Sequence, residues 1–157
     1  MSNIKIVKAT ENVFYEILDL EYLIFSPPWT EGSLMRELYS DSALFLTAIS
    51  EGEVVGYAIL HSIAQDEAEI YKIAVSEKFR RKGVAALLMH EMMEHVKKNK
   101  IEHTFLEVRE SNTPAIMLYN KFGFESVARR YNYYQDPVEN ALIMTVHTED
   151  DAEKNIK

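Results

Sequence analysis

The architecture of this chain follows from one segment, Ile73-Ala74-Val75-Ser76-Glu77-Lys78-Phe79-Arg80-Arg81-Lys82-Gly83-Val84-Ala85-Ala86-Leu87-Leu88. A β-branched apolar run leads into four cations within five residues, which are followed by a glycine and by apolar residues at helical spacing. This order predicts a strand, a basic turn and the start of a helix. N–H groups at a helix start and the positive end of the helix dipole bind anions. Because Gly83 has no Cβ, a phosphate can approach the main chain there, and we expect a pyrophosphate as the ligand.

Composition indicates an ordinary globular protein with an acidic surface. The 157 residues suit a single domain, placed at 1–157, and contents of 47% apolar and 27% charged residues are sufficient for a buried core. The net charge of −8 argues against direct binding of nucleic acid. It favours a basic protein or peptide as partner, because an acidic surface attracts cationic chains. The sequence leaves the oligomeric state open.

Missing residue types and unsuitable spacings exclude several kinds of chemistry. The chain contains no cysteine, which excludes disulfides, thiolate metal sites and an acyl-cysteine intermediate. His90 and His95 are five residues apart, off the i, i+4 spacing of paired helical ligands, so we predict no metal site. The first residues lack the apolar run of a signal peptide, and no apolar stretch has the length of a membrane span. We therefore expect a cytoplasmic protein without membrane contact.

Hydrophobic periodicity and turn residues predict a mixed α/β (α+β) fold, a central sheet flanked by helices in the order β-α-α-β-β-β-α-β-α-β-β. Thr10 and Thr30 are the expected N-caps of the first two helices, and Pro27-Pro28 separates these helices. Strands are predicted at 4–7, 44–50, 54–61, 68–75, 103–108, 124–131 and 141–147, helices at 10–25, 30–39, 83–99 and 112–123, and a frayed charged tail at 149–157.

Ordered motifs along the chain resemble those of the GNAT N-acetyltransferases. Arg80-x-x-Gly83-x-Ala85 resembles the Q/R-x-x-G-x-G/A motif with which this family binds acetyl-CoA, and it follows a β-branched strand as that motif does. Within the family, the chain is similar to the bacterial ribosomal-protein-alanine N-acetyltransferases from about Ile4 to His147. The other segments that carry the resemblance are 28–30, 106–112, 115–124, 130–134 and 141–144.

Two residues and one short segment depart from the pattern of that family. Ala85 replaces the commoner second glycine, which narrows the room over the phosphates. Val138-Glu139-Asn140 stands where Gly-Glu-Asp is common. Lys72 lies close to the expected reaction centre, at a position where we expect a smaller polar residue.

The resemblance implies acetyl-CoA as the co-substrate. Main-chain N–H groups and cations of the basic turn would hold its phosphates, although such a turn can also be merely solvated. In the family, the strand before this turn parts from its neighbour and pairs its backbone with the pantetheine arm, and an amide there would hold the oxyanion; the residues alone equally allow an ordinary buried strand. Asn112 would bond the pantetheine amides, or serve only as a helix N-cap. The implied contacts are Ile73, Ala74, Val75, Arg80, Arg81, Lys82, Gly83, Val84, Ala85 and Asn112.

Two residues are candidates for proton transfer. Glu107 lies among apolar residues of a predicted strand, where a carboxylate needs a partner or a purpose. The resemblance makes it the general base, acting through water, whereas the alternatives are a solvent-facing residue or an ion pair with Arg109. Tyr119 lies on the last predicted helix. The resemblance makes its phenol the acid that protonates the departing thiolate, and the alternative is a packing role.

The peptide side of the site is expected to contain aromatic residues. Tyr133 and Tyr134, together with Arg130, would line one wall, because aromatic rings with polar tips can hold a peptide N-terminus. The alternative for these residues is strand packing. Trp29 is a candidate for the opposite wall.

The resemblance implies an N-acetyltransferase in which the amine attacks the thioester directly in a ternary complex. The implied substrate is the N-terminal alanine of a small-subunit ribosomal protein, which is a basic protein and so fits the acidic surface. Two alternatives remain: a GNAT enzyme that acts on a lysine side chain or a polyamine, and a non-catalytic module that binds acyl-CoA.

Overall fold

The computed structural model describes residues 3–148 and contains one seven-stranded sheet with helices on both faces. The tail predicted to fray, 149–157, lies outside the described residues. The strands are β1 (Ile4–Lys8), β2 (Ala43–Ser50), β3 (Glu53–Ala64), β4 (Glu67–Val75), β5 (His103–Arg109), β6 (Glu125–Tyr134) and β7 (Glu139–His147). The helices are α1 (Phe14–Ile24), α2 (Glu31–Tyr39), α3 (Val84–Lys98) and α4 (Thr113–Lys121).

The predicted fold class and order of elements are confirmed, but the start of the first helix differs. α1 begins at Phe14, because the preceding residues form a tighter 3₁₀ turn in which the Thr10 carbonyl accepts a hydrogen bond from the Val13 N–H at 3.2 Å. Thr30 behaves as predicted: its Oγ1 accepts a hydrogen bond from the Ser33 N–H at 3.1 Å and caps α2.

The sheet parts between two of its central strands. Its order is β1-β2-β3-β4-β5-β7-β6, and all neighbours are antiparallel except β4 and β5, which α3 connects as a parallel pair. β4 pairs with β3 as far as Val75, which lies opposite Gly56. Pairing of β4 with β5 covers only four residue pairs and ends at Ile70 and Leu106. A cleft therefore opens between β4 and β5 toward the carboxyl ends of both strands.

Each face of the sheet has its own core. Successive residues of β3 alternate between the two cores, with Ala58 and Leu60 on the face that packs against α3 and α4, and Tyr57 and Ile59 on the face that packs against α1 and α2. We call the second of these the α1–α2 face. None of the helices among residues 3–148 is long and apolar enough to cross a membrane.

Gly56 allows β3 to approach β4 closely, and its replacement by alanine should destabilise the fold. A Cβ at position 56 would lie 2.7 Å from the Ala74 carbonyl oxygen, a backbone atom that cannot move without disturbing the strand. We expect Gly56→Ala to lower the free energy of unfolding by about 1–3 kcal/mol. Gly32→Ala in α2 is the control, because the nearest atom to its Cβ would be 4.0 Å away. Equal midpoints of urea denaturation for both variants would contradict this interpretation.

Candidate active site

The basic turn directly follows β4 and leads into the N-terminus of α3. Arg81 and Gly83 have φ angles of 64° and 82°, so the turn uses the left-handed region at two positions. The N–H of Leu87 donates to the Gly83 carbonyl at 3.1 Å and begins the hydrogen-bond ladder of α3. The N–H groups of 84–86 thus point beyond the helix, as donors for an outside acceptor. A Cβ on Gly83 would meet nothing within 4 Å, which shows open space beside Gly83 at the start of the helix.

The cations of the turn are placed differently from one another. Arg81 and Lys82 are exposed beside the helix start. The Arg80 Nε donates to the Val75 carbonyl at 3.2 Å and so ties the turn to the end of β4. Val84 is buried, with 1% of its surface exposed, so only its main chain can contact a ligand.

Ile73, Ala74 and Val75 form the β4 side of the cleft, beyond the last residue pair shared with β5. Their side chains pack into the cores on either face, so main-chain groups are what they can offer to the cleft. Asn112 caps α4, where its Oδ1 accepts a hydrogen bond from the Ala115 N–H at 3.3 Å. This is the alternative that the sequence left open, and a contact with pantetheine remains a prediction.

Glu107 lies on the α1–α2 face of β5, inside the cleft. Its neighbours in the strand, Leu106 and Val108, point into the opposite core. The Glu107 side chain is 15% exposed, and its Oε1 lies 3.4 Å from Nε of Arg130. The alternative role of Glu107, an ion pair with Arg109, is wrong, because the Arg109 guanidinium pairs with Glu139 instead.

A second carboxyl group, that of Glu69, lies beside Glu107. In the sheet register Glu69 is opposite His61 on β3 and Phe105 on β5, one residue before the cleft opens. Burial, followed by the charge of Glu107, raises the pKa of Glu69 to about 7, although Arg130 and His61 act in the opposite direction. At neutral pH this carboxyl is therefore divided between its protonated and ionised forms.

Sequence reasoning missed Glu69 because its neighbourhood is set by the register of a parallel pair. The alternation of Ala68, Glu69 and Ile70 places the glutamate on the same face as Glu107, but the residue that it meets across the sheet is not encoded locally. His61, which lies opposite Glu69 in the sheet, connects this glutamate to α2, since the Nδ1 of His61 lies 2.7 Å from Oε1 of Glu37 on that helix.

Tyr119 is a buried phenol on α4. It is 5% exposed and packs against Phe124, with 6.1 Å between the ring centroids. Burial raises its pKa, and the neighbouring Tyr134 adds to this effect. The hydroxyl group of Tyr119 thus keeps its proton throughout the ordinary pH range.

Tyr133, Tyr134 and Arg130 lie around Glu107, and their role as a wall of the peptide site remains a prediction. Interaction with the Glu107 carboxylate, followed by burial, raises the pKa of the Tyr133 hydroxyl to about 12. The rings of Tyr133 and Tyr134 meet edge to face at 5.0 Å, and the Arg130 guanidinium lies 5.6 Å from the Tyr133 ring centroid. These three residues and Glu107 form one interacting cluster.

Arg109 joins the two walls beside Glu107. Its guanidinium donates to the carbonyls of Gln135 and Pro137, at 3.1 and 3.0 Å, in the β6–β7 hairpin. It also donates to the Ser26 carbonyl at 3.2 Å, in the loop between α1 and α2. The Ser26 hydroxyl in turn donates to Asp136 at 2.9 Å. Arg109 and Ser26 thus connect the β6–β7 hairpin to the loop between α1 and α2, next to Glu107.

The wall that contains Trp29 is held by a buried ion pair. Glu21 on α1 is fully buried; its Oε2 accepts a hydrogen bond from the Trp29 N–H at 2.7 Å and one from Lys72 Nζ at 3.0 Å. Its Oε1 accepts a hydrogen bond from the Tyr57 hydroxyl. Burial lowers the pKa of the Lys72 ammonium, while the charge of Glu21 opposes this shift. Trp29 packs edge to face on Tyr71 at 5.8 Å.

The family of the chain is established by comparison. The model of the acetyltransferase (GNAT) family matches residues 14–124, and the chain belongs to this family. The open strand edge and the donors at the start of α3 lie within the matched range. Within residues 3–148, no group of three or more His, Asp or Glu side chains is arranged to hold a metal ion.

Two relatives share a description. A Bacillus subtilis protein described as a candidate [ribosomal protein bS18]-alanine N-acetyltransferase is 36% identical over 88% of this chain and 94% of its own length. The [ribosomal protein bS18]-alanine N-acetyltransferase of Haemophilus influenzae is 32% identical over 94% of this chain and 99% of its own length.

Solved structures agree with the fold. The crystal structure of the ribosomal-protein-S18-alanine N-acetyltransferase from Escherichia coli superimposes with a TM-score of 0.84 at 26% identity, covering 95% of this chain and 97% of its own. The crystal structure of Ard1 from Thermoplasma volcanium gives a TM-score of 0.85 at 27% identity, covering 94% and 99%.

Replacing Glu69 should stabilise the protein, and the gain should grow with pH. Because its folded-state pKa of about 7 lies above the ordinary value of 4.5, ionisation of Glu69 costs stability as pH rises through this interval. We expect the Tm difference between Glu69→Gln and the wild type to be near zero at about pH 4 and largest above about pH 8. Glu67→Gln, at the exposed start of the same strand, is the control. A Tm difference that is constant over this range would contradict the assignment.

Proposed function

We propose that this protein transfers the acetyl group of acetyl-CoA to the N-terminal α-amine of a ribosomal protein, with alanine as the acceptor residue. The observation that carries the proposal is the cleft between β4 and β5, which has anion donors at one end and the neighbouring carboxyl groups of Glu69 and Glu107 at the other. The descriptions of the Haemophilus and Bacillus relatives support this choice of acceptor.

The cleft suits acetyl-CoA. Main-chain groups of Ile73–Val75 on the open side of β4 can pair with the pantetheine amides as a further strand would. The N–H groups of 84–86, together with Arg81 and Lys82, can bind the diphosphate, and the open space at Gly83 leaves room for it. When bound, acetyl-CoA supplies an activated acetyl thioester.

The residues of the cleft divide the proton transfers between them. An α-amine reaches the site mainly as ammonium, and Glu107 accepts its proton, through a water molecule, so that the amine can attack directly. Glu69, with its pKa near 7, can take that proton from Glu107 and release it. Tyr119 keeps its proton at neutral pH and is the donor for the departing thiolate. A covalent acyl-cysteine route is closed, because the chain has no cysteine.

The surroundings of the carboxyl groups favour a basic chain terminus as substrate. The net charge of −8 attracts cationic chains. The bridge from Arg109 to Ser26 joins both walls next to Glu107, so a narrow chain end enters more easily than a side chain that projects from a folded surface.

Initial rates with three classes of amine test the proposal. Basic peptides that start with alanine should be acetylated with concomitant release of CoA, while N-blocked lysine peptides and spermidine should react much more slowly. Faster reaction of either of those amines would instead indicate a side-chain or polyamine acetyltransferase. Tight binding of CoA without its release in the presence of any amine would indicate a binding module.

Glu107→Gln should lower kcat by about 10²–10⁴, the usual contribution of a general base. The amide keeps the size of the side chain but cannot accept the proton. Glu102→Gln is the matched control, because Glu102 is exposed just before the same strand. Both variants are to be compared in steady-state assays with an alanine-starting peptide. Unchanged turnover of Glu107→Gln would remove this residue from the mechanism.

A further inference from the structure

Lys72 is buried within a wall of the cleft. Its side chain is 8% exposed, and its Nζ lies 3.0 Å from Oε2 of the fully buried Glu21. The same Nζ lies 3.7 Å from the ring centroid of Phe25 and 4.8 Å from that of Trp29. Cation–π contacts and a buried ion pair require defined geometry, so Lys72 fixes both rings of this wall relative to the sheet.

Lys72 lies in the part of β4 that borders the cleft, next to the expected site of acetyl transfer. The residue lies two positions after Ile70, where pairing with β5 ends, and directly before Ile73 on the open side of β4. The register with β3 shifts beside Tyr71, so that Tyr71 and Lys72 both contact residues on the α1–α2 face. Glu107 lies on that face across the cleft.

We infer that Lys72 is a specificity-determining residue that limits the first side chain of the acceptor peptide to about the size of alanine. This inference rests on the α-amine acetylation proposed above. Because its Nζ lies over the rings of Phe25 and Trp29, the aliphatic stem of Lys72 must run from β4 to these rings and occupy the space between them. In a close-packed wall, that volume is not available to a substrate side chain.

The charge of Lys72 acts in the same direction. Its ammonium is paired with Glu21, on the α1 side of the wall, so the Glu21 carboxylate is not free to pair with a cationic first side chain. Such a side chain would have to give up its hydration beside another cation, which is unfavourable. Small, uncharged first residues avoid both costs.

Paired substitutions separate the volume of the stem from the charge. Replacing Lys72 alone would leave Glu21 as an unpaired buried charge, so both residues are changed together. E21Q/K72M keeps the length of the side chain and removes both charges. E21Q/K72A removes the stem as well, and E21Q/K72N is intermediate in size. In each variant the amide introduced at position 21 keeps an oxygen that can accept from the Trp29 N–H.

The readout is the ratio of kcat/KM for otherwise identical peptides that start with alanine or with leucine. We expect E21Q/K72M to keep the wild-type ratio, and E21Q/K72A to lower it by about 10-fold or more through faster reaction of the leucine peptide. E21Q/K72N should lie between them, and it replaces the alanine variant if that variant does not fold. Equal ratios in E21Q/K72M and the smaller variants would overturn the inference, since a merely structural role predicts lower activity with unchanged selectivity.

Affinity measured without turnover separates this inference from the proposed function. CoA joined through its acetyl group to alanine- or leucine-starting peptides can be titrated into each variant by calorimetry, and Trp29, the single tryptophan of the chain, gives a fluorescence signal for the same wall. If alanine peptides are not acetylated, the proposed function fails. If the smaller variants do not gain affinity for the leucine conjugate relative to E21Q/K72M, the inference on Lys72 fails.

Discussion

Beyond Ile70, strand β4 is hydrogen-bonded to β3 on one side and faces the cleft on the other. Main-chain donors and acceptors at such an edge require a partner, and the parting of β5 prevents the sheet from supplying it. The pantetheine arm proposed here would satisfy these groups. Because the basic turn starts where β4 ends, the same parting brings the N-terminus of α3 to the wide end of the cleft.

The other parts of the site depend on how both walls are held at this opening. Glu21 accepts hydrogen bonds from the Trp29 N–H and from Lys72, and so attaches the α1–α2 loop to β4. Arg109 attaches the same loop to the β6–β7 hairpin beside Glu107. Both attachments use charged groups that are largely shielded from solvent: the side chain of Lys72 is 8% exposed and that of Arg109 is 25% exposed. The energy of charge pairs in such surroundings depends strongly on their geometry. The residues proposed for the reaction and those proposed for selectivity therefore lie on walls that these two attachments hold together.

What the sequence could predict was local in the chain. Thr30, the basic turn and the apolar spacing of α3 lie within a few residues of the structure they specify, and their predicted positions agree with the structure. Thr10 failed as a helix start because a 3₁₀ turn competed for its carbonyl. The meeting of Glu69 with Glu107, and that of Lys72 with Glu21, depends on strand register and on packing between residues 38 to 51 positions apart. Periodicity carries no information about such pairs.

Hydrogen exchange of backbone amides, with and without acetyl-CoA, tests the parting of β4 from β5 as the ligand site most directly. We expect acetyl-CoA to slow exchange of the Ile73 and Val75 amides, which alternate with amides bonded to β3 and so face the cleft, and of the amides of 82–86, because these N–H groups gain acceptors. The β3–β4 and β6–β7 pairings away from the cleft should change little. Protection confined to another surface, such as the groove lined by Pro28, Ser33 and Arg36, with the amides of 82–86 exchanging as before, would contradict it.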